Sequence, residues 1–83
     1  MNTLEIDLKK LEHNFLTLKS LLKKKTKIIG VVKANAYGGG QLEIAKKLVS
    51  MGIDSLAVGY TTEGLNLRTL KIDVPIIVFY PHP

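Results

Sequence analysis

Val31-Val32-Lys33-Ala34-Asn35-Ala36-Tyr37-Gly38-Gly39-Gly40 joins an apolar run to a lysine and a glycine-rich turn, and the rest of the chain is laid out around it. The apolar pair Ile28-Ile29 runs into it, and a helical pattern that begins near Gln41 follows it. A lysine therefore stands where a buried strand gives out. Side chains alternate along a strand, so Val31 and Lys33 share one side. An unpaired ammonium is costly to bury. A lysine desolvated among apolar neighbours gives up its proton more readily, and the free amine can attack a carbonyl. The competing reading is a strand-end lysine whose long stem carries its charge back into water.

Working outward, residues 27 to 33 are β-branched and nearly continuous in apolarity, as in a strand buried on both faces. Gly38-Gly39-Gly40 relaxes the backbone, and three glycines before a helix N-terminus can either cradle a phosphate or serve as a plain turn. The lysine and hydroxyl residue of a P-loop are missing, as is the glycine spacing of a dinucleotide site. Leu42, Ala45, Leu48 and Val49 mark one stripe of a helix, which Gly52 stops in the left-handed conformation. Ser55 to Tyr60 reads as a second strand. Thr61 or Thr62 caps a third helix, with Glu63 in its first turn, running to about Leu70. Pro75 opens a third strand, Ile76 to Tyr80.

Upstream, residues 4 to 8 alternate apolar and polar, which predicts a short strand, with Asp7 as N-cap of the helix that follows. Leu8, Leu11, Phe15, Leu18 and Leu22 then fall on one helical stripe, and the helix is expected to end within the lysine run Lys23-Lys24-Lys25. His13 lies off that stripe and reads as a surface residue. The fold class is α/β: an N-terminal helix and a parallel βαβαβ layout. That order opens a (β/α)8 barrel, for which 83 residues hold about three strands. A small doubly wound sheet is the alternative.

Composition narrows the function. Apolar residues make up 46%, enough for a core. There is no cysteine, and the two histidines, His13 and His82, are far apart, so no metal site is expected. The net charge of +5 comes from eleven lysines and one arginine. Lys23 to Lys27 reads as a solvated helix end, and without interleaved aromatics no nucleic-acid partner is expected. No run approaches the ~20 apolar residues of a membrane span. The opening residues lack the apolar core of an export signal, so a cytoplasmic protein is expected.

The run VVKANAYG before a glycine-rich turn resembles the pyridoxal-phosphate lysine motif of the alanine racemases, whose usual form is KANAYGHG. Gly39 stands where that family commonly has histidine, and Lys71 where it commonly has glycine after the third helix, so that turn is expected to differ. The opening EIDL with His13-Asn14 is similar too. The resemblance covers nearly the whole chain but about the first fifth of such an enzyme. It implies that Lys33 holds pyridoxal 5'-phosphate as a Schiff base and serves as a catalytic base on one face of the substrate. It also implies that Tyr37 contacts the cofactor phosphate. Val31, on Lys33's side of the strand, and Phe79, on the third strand, are expected to line the cofactor. The implied reaction is interconversion of L- and D-alanine, supplying D-alanine for the cell wall, by a full-length homodimer. These 83 residues alone are expected to be an inactive N-terminal piece. Two other classes stay open: an amino-acid decarboxylase of the same fold type, which shares VKAN but not AYG, and a truncated module that works by association.

Overall fold

The β-branched runs find one another in parallel, and the stripes between them supply the helices that cover one side. The structure, a computed structural model, describes residues 3–33 and 40–81. Helix α1 (Thr3–Leu21) leads into strand β1 (Ile29–Val31), helix α2 (Gly40–Ser50), strand β2 (Ser55–Tyr60), helix α3 (Thr61–Thr69) and strand β3 (Ile76–Tyr80). The sheet has the order β1-β2-β3, all parallel. Gly30 lies opposite Leu56 and Leu56 opposite Ile76, while Val31 lies opposite Ala57 and Ala57 opposite Ile77.

That register separates two faces. The row Gly30, Leu56, Ile76 faces the helices. A Cβ at Gly30 would sit 2.9 Å from Leu48 of α2, and one at Gly64 of α3 would sit 3.6 Å from Ile76. Both helices therefore pack on the same face. The core gathers there: Leu48, Ile53, Leu56, Val58, Leu67 and Ile72 are buried, joined by Phe15 of α1. The row Val31, Ala57, Ile77 faces the other way, and among the described residues no helix packs on it; Ala57 is 1% exposed, but Ile29, Val31, Ile77 and Phe79 are 51%, 53%, 41% and 51% exposed. A doubly wound sheet carries helices on both faces. One covered face and one bare apolar face is the arrangement of a wall of a barrel, whose interior side chains pack against strands across it.

Polar contacts fix the joints. Asp54, just before β2, accepts the Ile28 N–H at 2.7 Å and so sets the entry of β1. Lys47 of α2 pairs with Glu12 of α1 at 3.1 Å. Gly52 ends α2 with a φ of +88°, the left-handed stop expected of it. Arg68 donates to the carbonyls of Ile72 and Val74, at 2.6 and 3.0 Å, and holds the approach to β3.

Several expectations are corrected. Residues 4 to 8 belong to α1, which begins at Thr3, and Asp7 lies inside that helix and does not cap it. Leu8 stands three residues before Leu11 and seven before Phe15, so the alternation continues the helical stripe equally well. A helix satisfies its backbone locally, whereas a strand needs a partner edge. The helix also stops at Leu21, before the lysines, and Leu18 is 45% exposed despite its place on the stripe. Strand β1 is shorter than residues 27 to 33 and buried on one face only. Its pairing nevertheless continues at both ends, through Ser55 N–H to Ile28 O at 3.4 Å and Val32 N–H to Ala57 O at 2.8 Å. The N-cap of α3 is Tyr60, and neither Thr61 nor Thr62 fills that position. Lys71 adopts the left-handed conformation itself, with a φ of 61°, so the turn keeps the path a glycine would take.

Candidate functional site

Val32 is 2% exposed, and its burial on the helix side turns its neighbours Val31 and Lys33 to the bare side. Lys33 therefore leaves the sheet at the C-terminal end of β1, in the row that continues through Gly59 of β2 to Phe79 of β3. Around this row is an open hollow of about 630 Å³, lined by Val31, Lys33, Gly59, Glu63, Phe79 and Tyr80 among others. Tyr60 and Tyr80 also line it, with ring centroids 5.6 Å apart.

Three of the four candidate residues thus meet at one place. Val31 and Phe79 offer apolar surface, and Lys33 offers an amine, to the same hollow. Lys33 itself is exposed, so the strand end alone does not desolvate it; among the described residues no helix packs on the face it belongs to. Tyr37 lies outside the described residues, as do Gly38 and Gly39 of the glycine turn. The lysine run is elsewhere. Lys23, Lys24 and Lys27 border a separate hollow of about 370 Å³ at the N-terminal end of the strands. Lys27 reaches Asp54 at 3.8 Å with its side chain 80% exposed, a contact worth little in solvent.

A polar cluster that no local sequence pattern marks lies beside Lys33. Gln41, at the start of α2, donates through Nε2 to the Val32 carbonyl at 3.2 Å and to Glu63 Oε2 at 2.7 Å. The other Glu63 oxygen accepts the Tyr60 N–H at 2.8 Å and caps α3. The first turn of α2, the end of β1 and the first turn of α3 are thus bound together next to the lysine. Glu63 was legible as a first-turn acid, but its partner 22 residues away carries no local signal.

The comparisons with known proteins follow the same residues. The model of the alanine racemase N-terminal domain matches residues 6–83. Alanine racemase 2 of Caldanaerobacter subterraneus subsp. tengcongensis is 43% identical over 74 residues, covering 89% of this chain and 19% of that protein. The alanine racemase of Halothermothrix orenii is 47% identical over 74 residues, covering 89% of this chain and 20% of its own length. Among solved structures, the alanine racemase of Clostridium difficile 630 superposes with a TM-score of 0.78 at 44% identity, over 88% of this chain and 19% of that one. The same protein in complex with cycloserine gives 0.71 at 47% identity, over 80% of this chain and 18% of that one. The chain spans about a fifth of the length of the curated relatives it matches. The one-sided sheet is the opening wall of the alanine racemase barrel, and the chain belongs to the alanine racemase N-terminal-domain family.

Proposed function

We propose that Lys33 is the attachment lysine for pyridoxal 5'-phosphate and that the intact protein interconverts L- and D-alanine. The observation that carries this reading is the position of Lys33: an amine at the C-terminal end of a barrel strand, where barrel chemistry is built, flanked by Val31 and Phe79 above a hollow of about 630 Å³. The residues present fit the cofactor. Gly59 keeps the floor between Lys33 and Phe79 open, whereas a Cβ there would come within 3.1 Å of Glu63 Oε1. The apolar walls suit the faces of an aromatic ring. Tyr37 is assigned to the cofactor phosphate on the motif alone.

When bound, pyridoxal phosphate supplies an electron sink that stabilises the negative charge left at Cα as the α-proton departs. The chain's own residues do the rest. The Lys33 amine would hold the cofactor through its aldehyde group, and its Nζ would take or return a proton on one face of Cα. Val31 and Phe79 exclude water from that side. Racemisation removes one proton and returns one on the opposite face, so it needs no oxidant. The opposite base, the phosphate loops and the group facing the ring nitrogen are assigned to parts of the protein beyond these 83 residues, in a homodimer. On this reading residues 1–83 form the N-terminal part of the barrel and are inactive alone. Cycloserine, bound by the solved relative, is a cyclic amino-acid analogue with a primary amine, which favours a small amino-acid substrate.

The test is chiral analysis of alanine incubated with the intact protein. L-alanine should convert to an equal mixture with D-alanine, and Lys33→Ala should abolish turnover. Loss of the carboxyl group from an amino acid without racemisation of alanine would overturn the reaction in favour of a decarboxylase.

A further inference from the structure

We propose that Gln41 and Glu63 form a clasp that positions the end of β1, and that it tunes how firmly Lys33 holds a cofactor aldehyde; the second half rests on the function proposed above. Val32 is the residue directly before Lys33. Its N–H is tied to Ala57 O at 2.8 Å and its carbonyl to Gln41 Nε2 at 3.2 Å. The peptide leading into Lys33 is therefore held by a side chain on the next helix and does not rely on the ladder alone. Gln41 would be free to choose other rotamers, but Glu63 Oε2 takes its amide at 2.7 Å. Glu63 in turn is fixed by the Tyr60 N–H at 2.8 Å. The chain of contacts runs from the cap of α3, through one carboxylate and one amide, to the backbone beside the lysine.

The chemistry requires these residue types. A carboxylate offers two acceptor oxygens, one for Tyr60 and one for Gln41. The Gln41 amide offers two N–H donors, enough for a carbonyl and a carboxylate. An ionised acceptor makes the Gln41–Glu63 contact the strong member of the set. The atoms are partly buried, which strengthens the contact relative to bulk water. Neither side chain touches the reacting atoms in this account; both are positioning residues.

Four variants of the intact protein test this: Gln41→Glu, Gln41→Lys, Glu63→Gln, and Gln41→Glu combined with Glu63→Gln. Gln41→Glu keeps the size but removes the donors and faces Glu63 with a like charge. Gln41→Lys changes the shape but keeps N–H groups for both acceptors. A space-filling role predicts that the glutamate is tolerated and the lysine is not; the clasp predicts the reverse. Glu63→Gln leaves one acceptor oxygen for two donors, so it breaks the clasp or the cap. The first readout needs no cofactor: amide hydrogen exchange of Val32 should accelerate about tenfold in Gln41→Glu, the size of one ordinary net hydrogen bond, and stay near wild type in Gln41→Lys. The second is the dissociation constant for pyridoxal phosphate, read from its absorbance. It should weaken about five- to tenfold in Gln41→Glu and in Glu63→Gln, and the double variant should weaken less than the product of the two. Unchanged Val32 exchange in Gln41→Glu overturns the clasp. Accelerated exchange with unchanged cofactor affinity overturns its link to Lys33. Absence of cofactor binding in the wild-type protein overturns the function and with it that link, while the exchange readout still decides whether the clasp exists.

Discussion

At the scale of single residues, Lys71 and Gly59 stand where backbone geometry constrains the side chain. Lys71 accepts a φ of 61°, a conformation that costs a side-chain-bearing residue roughly 1–2 kcal/mol. Part of that cost returns when glycine adds freedom to the unfolded chain. Lys71→Gly is therefore expected to stabilise the fold by about 0.5–1 kcal/mol, read as a raised denaturant midpoint at constant slope. At Gly59, a methyl group must push against Glu63 Oε1, 3.1 Å away. Gly59→Val should disturb the cap of α3 and fill the floor of the hollow, destabilising by about 1–3 kcal/mol in the same titration. The position of Lys33 was legible because a β-branched run, a lysine and a glycine turn follow in succession. The clasp was not, because Gln41 and Glu63 meet only after two strands have paired in register.

At the scale of elements, α2 could be read from apolar spacing and from Gly52, whose φ of +88° is the stop its position implied; α3 could be read from Glu63 in its first turn, although its N-cap is Tyr60, and β3 from Pro75 before it. The first helix could not be started correctly. Three apolar residues spaced two apart suit a strand, and the same segment extends a helix whose core contacts, Leu11 and Phe15, come later. Burial is a property of the whole, so β1 could be located but its second face could not. The contact between α2 and β1 depends on close approach at Gly30, where a Cβ would lie 2.9 Å from a Leu48 methyl group. Leu48 is 5% exposed and has little room to yield. Gly30→Val is expected to cost about 1–3 kcal/mol through overpacking, seen as a lower thermal midpoint. The opposite change at an exposed site on the same helix, Lys46→Ala, should fall within about 0.5 kcal/mol of wild type.

At the scale of the whole molecule, three parallel strands with one bare apolar face are a wall and not a closed barrel. Ile29, Val31, Ile77 and Phe79 lie open on that face, and β1 and β3 are edges of the sheet. Unpaired edges beside an apolar surface favour association. The 83-residue chain alone is expected to self-associate or to unfold with a stability below roughly 5 kcal/mol, as read by sedimentation and denaturant titration. A monomer with a sharp transition well above that value would show that the bare face needs no partner strands.

Of the eleven lysines, Lys33 is the one proposed to hold an aldehyde cofactor. The most direct measurement is borohydride reduction of the intact protein loaded with pyridoxal phosphate, followed by peptide mapping. One pyridoxyl group per chain is expected, on the peptide containing Lys33, and its loss in Lys33→Ala with the far-ultraviolet circular dichroism unchanged. A pyridoxyl group on any other lysine, or an unlabelled Lys33 peptide in protein that racemises alanine, would contradict it.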